Sequence, residues 1–234
     1  MITKVGHRHH MGIEINGRTA TLDGEWSPRP DGGWSFGSSP KIQAWDDGTP
    51  VTPEERIAIL REGRESAESA NVKIEIYGLS LEDAILVGGV LEPEHAPVRC
   101  DDPTICRDFE TAKDAAIFVC GGPLKTPLTL RQMATALAVD TGGVTFDQLC
   151  AQARIVLPDF HPRRADALSA WMSATAAYAQ GASGRIRVLV GRWPQPASLF
   201  VSQSYSLLRS NANVSEIIAI DAGSGAERTV VVAR

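Results

Sequence analysis

A chain of 234 residues has room for one large domain or two small ones. Its 43% hydrophobic and 22% charged residues are those of an ordinary soluble globular protein, and no apolar run approaches the roughly 20 residues of a membrane span. A formal net charge of −5 argues against non-specific nucleic-acid binding, which needs a basic face.

The first ten residues hold His7, His9 and His10, a spacing able to take a metal. They read instead as a solvated tail, because terminal segments are seldom anchored. The segment also lacks a signal-peptide core, so the expected compartment is the cytoplasm. Reduced cysteines are expected there: Cys100, Cys106, Cys120 and Cys150 match no common zinc spacing. The sequence asks for no cofactor and no metal.

Gly12 to Glu25 reads as a hairpin. Ile13 and Ile15 alternate with polar residues, Asn16-Gly17 is a turn that tolerates positive φ, and Asp23-Gly24 marks the end of the return strand. A Pro/Gly loop follows. Trp34 to Phe36 and Lys41 to Trp45 then read as two short strands. Thr52, Pro53 and Glu55 form a helix start: N-cap, first-turn proline and the third residue of a capping box. Ile57, Leu60, Arg64 and Ala67 are spaced for one helix face, with Asn71 as a left-handed stop. Val72, Ile74 and Ile76 share one face of a closing strand. The helix is expected to pack through Ile57 and Leu60 on Ile13, Ile15, Ile74 and Ile76.

In order and spacing these pieces resemble the immunity protein 74 family of bacterial polymorphic toxin systems. The likeness rests on Ile13 to Gly17, Leu22 to Glu25, the Ile42 to Gly48 loop, Thr52 to Glu55, and Lys73 to Ile76. It covers about the first 80 residues. The resemblance implies a binding protein that neutralises a cognate toxin by direct association and performs no catalysis of its own.

Beyond Tyr77 the chain reads as α/β. Ala84 to Val87, Ala115 to Cys120 and Arg185 to Val190 look like buried strands, each followed by glycine. Helical patterns separate them, which suggests some parallel pairing. Thr129 opens a helix stopped at Thr141-Gly142-Gly143, and Thr145 to Gln148 is a capping box for a helix through Ala153. Ile155 to Leu157 reads as a strand, Pro162 to Gln180 as a long helix, Ser198 to Ser210 as a helix, and Val214 to Val232 as a hairpin. The expected fold is therefore α+β. A small antiparallel sheet with one helix occupies residues 1–79, and a larger α/β region with a mixed sheet occupies 80–234. A single continuous domain is the alternative.

Candidate chemistry is thin. Gly121-Gly122 before Lys125-Thr126 lacks P-loop spacing and reads as a strand-to-helix turn. Cys120 is the best nucleophile by position, with His95 or His161 as candidate bases, but nothing in the sequence brings them together. Asp159 and His161 open a charged segment that reads as a helix cap. Trp26, Trp34 and Trp45 either roof a small core or anchor an interface. Between Asp46 and Glu75 there are 8 acids and 4 bases, either a solvated helix face or a surface that meets a basic partner. Under the immunity reading the contact residues are Trp34, Trp45, Asp46, Asp47, Glu54 and Glu55. The alternative function is an enzyme, a toxin-like hydrolase or nucleotide-processing domain, fused to the module.

Overall fold

The structure is a computed structural model that describes residues 2–4, 10–29, 32–88, 108–122, 128–159, 165–196 and 198–230. The chain forms two compact units, Met1–Gly89 and Val90–Arg234. Each carries its own sheet, and together they make the α+β fold expected from the sequence.

In the first unit, strands β1 (Ile2–Lys4), β2 (His10–Ile15), β3 (Arg18–Pro28), β4 (Trp34–Ser38) and β5 (Val72–Ile76) lie side by side in chain order. The hairpin turn is the one the sequence predicts. Asn16 and Gly17 both take positive φ, 51° and 77°, the backbone that a two-residue turn between twisted strands requires. The first four strands pair antiparallel, and β4 pairs with β5 in parallel. That parallel pair needs a crossover, supplied by helix α1 (Pro53–Ser69). Two strand expectations are corrected. β3 does not stop at Asp23-Gly24 but runs on to Pro28, because Gly24 lets β4 close in where a side chain would overlap the Gly37 carbonyl. Lys41 to Trp45 is no strand; Ala44 makes a single bridge to Pro50.

α1 begins as its sequence dictates. Thr52 accepts from the Glu55 amide at 3.2 Å and the Glu55 carboxylate accepts from the Thr52 amide at 2.9 Å. Asn71, just past the helix, takes φ 56°. The buried stripe is shifted from the predicted one: Ile59, Leu60, Gly63 and Ala67 face the sheet, and Ile57 is only half-buried. Gly63 lets the helix settle on β2 and β3, since a Cβ there would lie 3.2 Å from Ile13 Cδ1 and 3.4 Å from Leu22 Cδ1. Met11, Phe36 and Ile76 complete this core.

Ala84 to Val87 is not a strand. Helix α2 (Leu81–Gly88) holds it, with Ser80 Oγ accepting from the Asp83 amide at 3.0 Å. A four-residue apolar run fits either state, and here the Ser80 cap and a ladder-free position decide for helix. Arg56 pairs with Asp83 at 3.1 Å and Arg61 donates to the Leu86 carbonyl at 2.6 Å, tying α2 to α1. The segment that the sequence reading assigns to the second part thus lies within the first unit.

In the second unit the sheet order is β10-β9-β8-β6-β7. β6 (Ala116–Cys120) pairs in parallel with β7 (Val144–Thr145) on one side and with β8 (Gly184–Val190) on the other. β8 runs parallel to β9 (Val214–Asp221), which turns back as the predicted hairpin into β10 (Glu227–Val230). Helix α3 (Leu130–Thr141) covers one face, its Leu130, Ala134 and Ala138 meeting Ile117, Leu189, Ile218 and Ile220. Its start at Thr129 and its left-handed stop at Gly142, φ 66°, are both as predicted. Helix α4 (Phe146–Ala153) follows directly from β7 through the Thr145–Gln148 capping box. Helix α5 (Ala165–Gln180) follows; the predicted start at Pro162 lies outside the described residues. Phe200–Ser204 is a π-helical turn continued by α6 (Tyr205–Ser210). Ile155 to Leu157 is not a strand, and Val156 stands almost fully exposed.

Tyr178 of α5 closes the β6–β7 junction. Its hydroxyl accepts from the Ile117 amide at 2.9 Å and reaches the Val144 carbonyl at 2.8 Å and the Ile117 carbonyl at 3.0 Å. A side chain therefore stands in for strand backbone where the two-residue β7 ends.

Candidate partner-binding surface

Four of the six sequence-predicted contact residues come together around a residue that the sequence reading passed over. Arg18 starts β3 immediately after the Asn-Gly turn. Its guanidinium lies over the Trp45 ring, 4.3 Å from the centroid, and reaches Asp47 and Glu55 at 3.4 Å each. Asp46 is held from the same strand. Its amide donates to the Thr19 carbonyl at 2.9 Å and its carboxylate accepts from the Thr21 hydroxyl at 3.1 Å.

The loop closes on itself as well. Trp45 donates its amide to Thr49, Gly48 donates to Trp45, and Val51 donates to Gln43. The Asp47 carboxylate accepts from the Thr49 amide at 2.8 Å. Hydrogen bonds from Thr49, and then Arg18, hold the Asp47 carboxyl below its usual range. The Thr52 amide does the same for Glu55, with smaller contributions from the Trp45 side chain and Arg18. Exposed ion pairs contribute little to stability, so the consequence of the Arg18 pairs is chiefly geometric. They fix a corner at which ionised carboxylates sit beside the first turn of α1.

Burial separates the six residues. Trp45 is only 5% exposed and belongs to the core, so it carries the loop from beneath. Asp46, Asp47 and Glu54 are exposed and Glu55 is half-buried. Trp34 is 50% exposed but lies away from this corner, paired with Pro28 at the opposite end of β3 from Arg18. Trp26 is half-buried, its ring 4.9 Å from that of Phe36. His10 is no loose tail: it lies on β2 opposite Asp23, with 2.8 Å between Nδ1 and the carboxylate, whereas His7 and His9 lie outside the described residues.

Of the second unit's candidate thiol chemistry, the described residues include Cys120 and Cys150. Cys120 ends β6 buried, with the Ser198 hydroxyl 3.7 Å from its sulfur. Burial pushes its thiol up to about 12, away from the thiolate that a nucleophile needs. Cys150 is pushed up to about 11 by burial and then by Asp147. Asp159 is exposed, and Cys100, Cys106, His95 and His161 lie outside the described residues. The Gly122 amide donates to the Arg192 carbonyl at 2.6 Å and the Gly191 amide to Cys120 at 2.8 Å, which spends those two amides on joining the loops after β6 and β8. Lys125 and Thr126 lie outside the described residues. Among the described residues no helix is long and apolar enough to cross a membrane.

No protein-family model matches the sequence, and no curated protein matches it. Among solved structures, one described as "Crystal structure of ADP ribosyl cyclase complexed with N1-cIDPR" is similar over 61% of this chain and 76% of that one, at 17% sequence identity and a TM-score of 0.35. A similarity so loose carries no functional argument.

Proposed function

We propose that the protein is an immunity-type binding protein of the cytoplasm that neutralises a cognate toxin by direct association through its first unit. One observation supports this reading above the others: Asp46, Asp47 and Glu54 are exposed on a corner that Arg18, Trp45 and the α1 capping box hold in place. A preordered surface loses little conformational freedom on binding. Fixed carboxylates speed encounter with a basic partner and penalise acidic ones. Trp34 offers exposed aromatic area elsewhere on the same unit.

The test uses the full chain, co-expressed with the products of neighbouring genes. A stoichiometric complex is expected, with protection of cells that express the toxin. Asp46→Lys combined with Glu54→Lys leaves Arg18 and Trp45 in place and is expected to weaken association at least about tenfold, most strongly at low salt. Unchanged affinity in a folded double variant overturns this surface. A chain that forms no complex and gives no protection overturns the function.

A further inference from the structure

Independently of the first unit, the second unit contains a small cavity whose walls and rim point to one class of guest. It measures about 140 Å³ and lies where β7 stops. β7 pairs with Ala116 and Ile117, and among the described residues β6 has no strand partner on that side at Phe118 and Val119. The first turn of α4 rises from the same place. This is the carboxyl end of parallel strands, where open α/β sheets take their ligands.

The walls are rings. Phe146 lies 5.7 Å from Trp171 and 5.8 Å from Tyr178, and Phe118 lies 4.4 Å from Tyr178 and 5.7 Å from Phe200. Phe200 reaches this position from the π-helical turn, where the Tyr205 amide bonds back five residues to the Phe200 carbonyl. Such turns recur at functional sites because they displace side chains that a regular helix would stack.

Three polar side chains of the walls already have work inside the fold. The Trp171 indole donates to the Pro158 carbonyl at 2.8 Å, Thr175 donates to the Trp171 carbonyl at 2.8 Å, and the Tyr178 hydroxyl bonds the strands. The charged lining groups are Arg131 and Asp147, side chains 61% and 47% exposed, paired at 3.6 Å. Arg131 also stands 5.7 Å from the Trp171 ring centroid.

We propose that this cavity binds a neutral single-ring aromatic or heteroaromatic molecule whose polar substituent faces the Arg131–Asp147 pair. Size sets the first limit: an apolar cavity of about 150 Å³ takes up benzene, whereas pockets for larger ligands begin near 300 Å³. Aromatic walls favour a planar π-face through offset and edge contacts. The rim sets the last limit. A charged substituent has to break the Arg131–Asp147 pair, whereas a neutral hydroxyl or amino group accepts from one and donates to the other.

The probe is phenol, titrated into the full chain by calorimetry and by NMR, with cyclohexanol and benzoate for comparison. Saturable phenol binding is expected at a dissociation constant of about 1 mM or tighter, with nuclear Overhauser contacts to the Trp171 indole. Cyclohexanol and benzoate are each expected to bind at least about fivefold more weakly. Ala134→Met fills the cavity from α3 and is expected to abolish binding. Leu199→Trp, on the lining beside Phe200, is a second block should the first variant lose its fold. Absence of saturable phenol binding, contacts to another tryptophan, cyclohexanol binding as tightly as phenol, or full binding in either folded variant overturns the proposal.

Discussion

Replacing Tyr178 by phenylalanine tests whether a single hydroxyl holds the end of β7 in place. The substitution keeps the ring, and with it the 4.4 Å contact to Phe118 and the 5.8 Å contact to Phe146. It removes one oxygen that accepts from the Ile117 amide and donates to the Val144 carbonyl. Ile117 and Tyr178 are each 1% exposed, so water does not replace the lost partner without rearrangement. A buried donor left unsatisfied costs roughly 1–3 kcal/mol, and the orphaned carbonyl adds less because its second lone pair is available. The expected loss is therefore about 2–3 kcal/mol, or a fall in Tm of about 4–12 °C for a unit of this size. Two readouts are needed because two units unfold. Thermal melting gives the total, and native-state hydrogen exchange at the Ile117 amide locates it. A variant within about 0.5 kcal/mol of the parent, with Ile117 still protected, would refute the reasoning; the β6 ladder and the helix connections would then suffice to hold β7.

Thr52→Ala removes the N-cap of α1 and should cost about 1 kcal/mol, read as a lower urea midpoint with an unchanged slope; no shift would mean that Pro53 and the loop suffice. Asp47 and Glu55 have folded-state values below their ordinary 3.8 and 4.5, so their contribution to stability is present above those values and is lost as pH falls through the folded ones. Stability should therefore decline below about pH 4.5, and Asp47→Asn should flatten that decline; parallel curves for the two chains would contradict the role given to the Thr49 and Arg18 contacts. With its thiol pushed up to about 12 by burial, Cys120 in a chain retaining it as the sole cysteine should alkylate at least about a hundredfold more slowly when folded than in denaturant. Comparable rates would return it to consideration as a nucleophile.

The elements legible in the sequence are those with local signatures. Thr52, Thr129 and Thr145 each open a helix with a reciprocal box to the residue three positions on, and Asn16-Gly17 fixes a turn by its own φ preferences. The errors occur where two states share a local pattern. Ala84 to Val87 and Ile155 to Leu157 are both short apolar runs, yet one is helix and the other lacks regular structure. What distinguishes them lies outside the run: Ser80 caps the first, while Arg154 leaves α4 in a left-handed conformation, φ 56°, and leads the second away from any ladder. Lys41 to Trp45 fails for a related reason. It buries Ile42 and Trp45, three positions apart and not alternating as a strand would, and the loop bonds that hold it run to Thr49 and Val51.

The candidate surface was only partly legible, and Arg18 shows why. The acids and Trp45 lie within a short stretch of sequence, so their proximity was foreseeable. Arg18 is 29 positions from Asp47 and 37 from Glu55, and only the β3 register brings it beneath the loop. An arginine after an Asn-Gly turn carries no local mark of that role. Once it is placed, the division of labour changes. A tryptophan beside two aspartates suggests an aromatic anchor with charged neighbours, but burial assigns Trp45 to the support and leaves the carboxylates at the surface. Trp45→Ala should therefore act through folding and loop order as well as through any partner. Asp46→Lys with Glu54→Lys keeps the Arg18–Trp45 support and the Asp46 amide bond to Thr19, gives up the exposed Thr21 contact, and so is the variant that best separates surface from scaffold.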